Sequence, residues 1–73
     1  MSKYVIYENF NDTKLYYAGY NLIKQQNMYD WVIDKAHKFN NIHEARDKIK
    51  DIMDAREKYR NFVIFEEFFI EMV

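Results

Sequence analysis

The sequence predicts an α+β fold: an antiparallel sheet of three to four strands with one amphipathic helix packed on one face, in the order ββ(β)αβ. Three observations lead there. β-branched and aromatic runs flank an Asn/Asp-rich stretch near the start, a single helical apolar stripe begins at Ile42, and the closing run at 61–73 is apolar on both alternating faces. One helix laid on one face of a sheet is the simplest arrangement that buries such a stripe.

Residues 3–8 (KYVIYE) and 13–20 (TKLYYAGY) have strand composition, and Asn9, Phe10, Asn11 and Asp12 between them read as the turn of an antiparallel hairpin. Gly19 falls inside the second run, where a glycine marks a bulge or a close backbone approach. Residues 21–27 (NLIKQQN) form a polar connection that Leu22 and Ile23 are expected to tether to the core. Residues 28–34 (MYDWVID) read as a third, shorter strand, edge-like or irregular because Trp31, Val32 and Ile33 are consecutive rather than alternating.

Ile42, Ala45, Ile49, Ile52 and Met53 share one face of an α-helix. Asn41 is placed to cap it, and Glu44 can reach back in a capping box. The opposite face is charged, with Glu44 and Lys48, Lys50 and Asp54, and Asp54 and Lys58 spaced i, i+4. Asn61 ends the helical region and the closing strand follows. Within that strand Phe62, Ile64, Phe68, Ile70 and Met72 have one parity and Val63, Phe65, Phe69 and Val73 the other, with Glu66 and Glu67 interrupting both. The early half, 62–65, is expected to be core for the helix stripe; the later half, 68–73, has the weaker claim to burial. Two readings compete for the run: the central strand of the small sheet, or a dimer or partner surface.

Seventy-three residues make one domain, 1–73, without internal repeat or linker. At this size folding buries only about 60% of the surface of the unfolded chain, so the core is thin. No cysteine is present to staple it or to bind metal, and the aromatic residues, 19% of the chain, must supply much of the buried area. With no proline and one glycine, turns fall to asparagine and aspartate. Neither a signal peptide nor a membrane-spanning run is legible, which sets cytoplasmic location and no membrane contact as the expectation.

Eleven basic and twelve acidic residues give a net charge of −1, which disfavours both a general electrostatic nucleic-acid binder and a strong DNA mimic. The charge is uneven, since every basic residue lies in positions 1–60 whereas Glu66, Glu67 and Glu71 sit at the end. For His37 and His43, even with Asp34 or Glu44 nearby, a solvent-facing role fits better than metal ligation or acid/base work, because no ligand spacing accompanies them. Ser2 sits at a terminus and Thr13 in a turn, neither with a positioned base. Glu66 and Glu67 point to opposite faces of a strand, and Asp51 and Asp54 lie among lysines on a solvated helix face. No catalytic residue, metal site or cofactor is therefore expected, and the chain reads as a non-enzyme.

The tyrosines support two binding readings. Lys3, Tyr4, Lys14, Tyr16 and Tyr17 could form a stacking platform for nucleic acid, bases on aromatic rings and phosphates on lysines. Tyrosine is equally favoured in strands and at protein interfaces. The leading expectation is a partner-binding set of Phe65, Glu66, Glu67, Phe69, Glu71, Tyr4, Tyr7, Tyr16 and Tyr17, aromatic anchors with glutamates facing a basic partner. A homodimeric structural or assembly protein is the third reading.

Trp31, Ala36, Phe39, Glu44, Ala45 and Ile49 together resemble the strand-to-helix segment of short uncharacterised phage and prophage proteins of Firmicutes. The resemblance covers a quarter of the chain. It implies packing, with Phe39 tucked before the capped helix and Ala45 allowing close approach to the sheet. The lysine, asparagine, isoleucine and tyrosine bias is similar to that of proteins from AT-rich genomes. Small phage proteins of this kind include inhibitors of host machinery, among them anti-CRISPR proteins, which implies a protein that binds and modulates a host protein by surface occlusion.

Overall fold

The computed structural model describes residues 2–58 and 67–73. Four strands, β1 (Tyr4–Phe10), β2 (Thr13–Asn21), β3 (Gln26–Asp30) and β4 (Phe68–Met72), form one antiparallel sheet in the order β3-β2-β1-β4. Among the described residues one α-helix, α1 (Ile42–Lys58), lies between β3 and β4 in sequence and packs on one face. The fold is thus the α+β arrangement the sequence predicts. Among the described residues no helix is long and apolar enough to cross a membrane.

The first hairpin turns in two residues, Asn11 and Asp12, with φ of 52° and 64°. Two consecutive positive φ values match the right-handed twist of the flanking strands, and Asn and Asp are the non-glycine residues that tolerate them. Asn9 and Phe10, expected in the turn, therefore belong to β1, where they face Lys14 and Thr13. The expected irregularity at Gly19 is present: the β2–β3 register shifts between Tyr17 and Gly19, whose φ is 104°.

Two expectations are corrected in the following segments. β3 covers Gln26–Asp30, not 28–34, because the Asp30 carboxylate accepts the Val32 N–H at 2.9 Å and turns the chain into a 3-10 turn at Ile33–Lys35. Leu22 and Ile23 do not tether their connection; they stand 82% and 95% exposed at its tip. Asn21 accepts the Lys24 N–H at 2.9 Å and Gln25 has a φ of 54°, so local turn chemistry decides this loop and carries the aliphatic pair outward.

α1 begins as expected, with Asn41 Oδ1 accepting the Glu44 N–H at 2.9 Å. The Glu44 carboxylate reaches back one residue further than a capping box requires, to the Asn40 N–H at 3.2 Å. Ala45 and Ile52 are buried against Ile6, Tyr17 and Phe39, with Ile49, Tyr4, Tyr29, Phe68 and Ile70 around them. The far end of the helix is held by Arg56, whose guanidinium donates to both Glu8 carboxylate oxygens at 3.0 and 2.9 Å and to the Tyr29 hydroxyl at 3.0 Å.

The opposite face has its own cover. Ile33 and Ala36 pack on Val5 and Tyr16, so adjacent residues Val5 and Ile6 are both fully buried, one on each face. β1 is therefore the central strand apolar on both sides, and the chain supplies both covers. β4 is at the sheet edge and not central: Phe68 and Ile70 are half-buried under α1, while Phe69, Met72 and Val73 are exposed. The expected core segment 62–65 lies outside the described residues.

The two covers are joined through an opening in the sheet. β1 and β2 pair only from Tyr7 and Tyr16 to the turn, and where they part, the chain passes from one face to the other. His37 N–H donates to the Tyr17 carbonyl at 2.8 Å, and Phe39 and Tyr4 exchange both backbone hydrogen bonds at 2.8 and 3.0 Å.

Replacing Gly19 with alanine should cost about 1–3 kcal/mol in a thermal melt. Its added Cβ would meet only His37 Nδ1, at an ordinary 3.8 Å, so the cost would come from backbone conformation and not from a clash. Arg56→Ala should cost about 2 kcal/mol in urea unfolding by stranding the half-sequestered Glu8 carboxylate, and Arg56→Lys should restore only part because the two-pronged geometry is lost.

Candidate functional site

Strand alternation places Val5 and Tyr7 of β1, Lys14 and Tyr16 of β2, and Phe69 and Glu71 of β4 on the face away from α1. Tyr7 is central, directly opposite Tyr16 on one side and Phe69 on the other. Its ring stacks on Phe69 with centroids 5.3 Å apart and planes 21° apart, and tilts against Tyr16 at 5.8 Å. Lys14 extends over the Tyr7 ring, its ammonium 4.6 Å from the centroid and 3.0 Å from Glu71 Oε1. The hydrogen bond to Glu71 raises the Lys14 pKa above its ordinary value, with desolvation opposing it.

Each of these contacts is weak at an exposed position, where solvent screens both the ion pair and the cation–π contact. Their joint effect is geometric. Ile33 and Ala36 cover the inner part of the face, and beyond them Tyr7 and Phe69 remain as a flat aromatic patch with a cation and an anion at its rim. Such a patch can take up an apolar or planar group. None of the six side chains is a nucleophile with a positioned base.

The expected site residues separate into four groups. Tyr7, Tyr16, Phe69 and Glu71 come together on the open face, joined by Lys14. Tyr4 and Tyr17 lie on the other face in the helix-covered core, Tyr17 only 2% exposed and stacked on Phe39 at 6.1 Å. Glu67 is exposed just before β4, and Lys3 donates to the Asn40 side chain away from the patch. Phe65 and Glu66 lie outside the described residues. The lysine–tyrosine set read for nucleic acid is thus divided between two faces and a sheet end.

No protein-family model, curated protein or solved structure matches the chain.

His37 is exposed and packs edge-on against Phe39 at 4.6 Å. Among the described residues no three His, Cys, Asp or Glu side chains group to hold a metal. An open cleft of about 470 Å³ lies between the β2–β3 hairpin and α1, where Tyr20 and Gln26 face Ile52 and Arg56. Sequence reading missed Lys14 as a partner of Glu71, and the half-exposed Phe10–Trp31 ring pair at 6.2 Å. Phe10 has the parity of Ile6, a signal that a two-residue turn would have made usable.

Burial, and secondarily the neighbouring Tyr29, raises the Tyr17 pKa above its ordinary value of 10.0. Both folded and unfolded states are neutral below that value, so Tyr17 adds no pH dependence there. Above it the unfolded chain ionises first, and stability falls as pH rises toward the folded-state pKa. Tyr17→Phe should therefore flatten the loss of stability between about pH 10 and 12 in denaturant titrations followed by circular dichroism.

Proposed function

We propose that the protein is a small non-enzymatic interaction module that binds a partner protein through the sheet face opposite α1. The stacked, partly exposed Tyr7–Phe69 pair carries this reading, since rigid aromatic rings with a charged rim are the typical centre of a protein interface. Glu71 and Lys14 then provide charge complementarity to a partner of mixed polarity, with Tyr16 flanking Tyr7 on the side away from Phe69. The resemblance of the segment from Trp31 to Ile49 extends the proposal to a phage-type protein that occludes a functional surface of a host protein, acting in the host cytoplasm. The pairing of Lys14 with Glu71 favours protein over nucleic acid, because the cation nearest the rings already has its anion.

The experiment is affinity capture from a bacterial host lysate, followed by measured binding of the captured protein to purified variants. Phe69→Ser, alone and with Tyr7→Ser, should weaken that binding by about tenfold to a hundredfold while circular dichroism stays native. Unchanged binding in folded variants would sink the assignment. A gel shift at low salt that fades steeply with added salt would move it to nucleic acid.

A further inference from the structure

We propose that β4 pairs with β4 of a second copy of the chain, antiparallel about a two-fold axis at Ile70, to form one continuous sheet. The argument begins with the hydrogen bonds of the edge. Lys3 and Val73 exchange both backbone bonds, at 3.2 and 2.8 Å, so in the β1–β4 ladder the mutually bonded pairs are Lys3–Val73, Val5–Glu71 and Tyr7–Phe69. The N–H and C=O groups of Phe68, Ile70 and Met72 therefore point outward. Among the described residues no strand pairs with them.

The two edges of the sheet differ in how well they are protected. β3 presents Gln26, Asn27 and Asp30 and adjoins the bulge at Tyr17–Gly19. β4 has no proline or bulge, and its one charge, Glu71, is turned onto Lys14. Natural edge strands usually carry such guards, and an apolar edge without them is a pairing surface. Around it lie Met72, 63% exposed, and Val73. Met53 adds to it from α1, because a 100° turn per residue places it on the flank opposite Lys48 and Ala55, away from β2 and β3.

The register selects a second copy as occupant. Directly opposed residues must share a face, which puts the two-fold axis on a residue and not between two. An axis at Glu71 would oppose two carboxylates, and one at Phe69 would oppose Glu67 to Glu71 of the second copy. An axis at Ile70 avoids both. It opposes Phe68 to Met72, Ile70 to itself and Phe69 to Glu71, uses every residue of β4, and places all outward backbone groups in mutually bonded pairs. Phe68, Ile70 and Met72 then line one apolar seam under the two helices.

The test is solution mass by light scattering, with single-cysteine crosslinking in a chain that has no native cysteine. Wild-type protein should approach twice the 9.1 kDa chain mass. Met72→Pro removes an N–H unused within the chain, and Met72→Lys places a charge on the seam; each should weaken dimerisation by roughly tenfold to a hundredfold with the fold retained. Oxidised Ile70→Cys should crosslink and Met72→Cys should not, since facing residues are about 5.5 Å apart and residues four steps removed about 14 Å. A monomer at all concentrations, a dimer insensitive to both Met72 changes, or efficient crosslinking at 72 and not at 70 would overturn the proposal. Partner capture by the Tyr7–Phe69 face is a separate measurement that none of these outcomes decides.

Discussion

Two antiparallel strands that diverge beyond their hairpin leave backbone N–H and C=O groups along both inner edges, and in a protein interior each must find a partner. Residues 37–39 meet that need where β1 and β2 part, through His37 to Tyr17 and the reciprocal bonds of Phe39 and Tyr4. The same three residues carry the chain between faces, so Ile33 and Ala36 cover Val5 while Phe39 packs with Ile6 under α1. Without this crossing, the strand YVIY would have one apolar side uncovered. With it, a thin core is closed on both faces by the same stretch of chain.

What was legible in the sequence follows from how local each determinant is. The helical stripe and the cap at Asn41 depend on neighbours within a few residues; Ala45, Ile49 and Ile52 pack on the sheet and the cap forms as capping chemistry places it, whereas Met53, expected on the same face, stands exposed on the helix flank. Gly19 was readable for the same reason. β3 ended early because a single carboxylate, Asp30, competes for a backbone N–H, an effect that hydrophobic pattern does not encode. Leu22 and Ile23 were misread because apolar character says nothing about which way a tight turn points. The closing run presented the hardest case. A strand apolar on both faces and an edge strand covered on one face look alike in composition, and only the long-range pairing with β1 separates them.

The candidate site depends on that same long-range pairing. Tyr7, Tyr16, Phe69 and Glu71 were all named from composition, but their assembly with Lys14 required the β1–β4 register, which no local signal carries. Tyr4 and Tyr17 were indistinguishable from them by residue type and differ only in parity. On a sheet with one helix-covered face, parity decides whether a tyrosine is core or surface. The site is thus defined less by which aromatics are present than by which side of β1 and β2 they occupy.

The pairing of Lys3 with Val73 also sets an order of assembly. β1 leaves the ribosome some sixty residues before its outer neighbour, and at about 5–20 residues per second the delay is several seconds or more. Through that interval the hairpins of β1, β2 and β3 can form from nearby contacts, and α1 can settle on them, but one side of β1 stays open. β4 closes it only when the end of the described chain has emerged. Long-range closure of this kind slows folding and leaves an apolar strand edge available to other chains during synthesis. Among the described strands the fourth thus completes the sheet, and it does so by meeting β1.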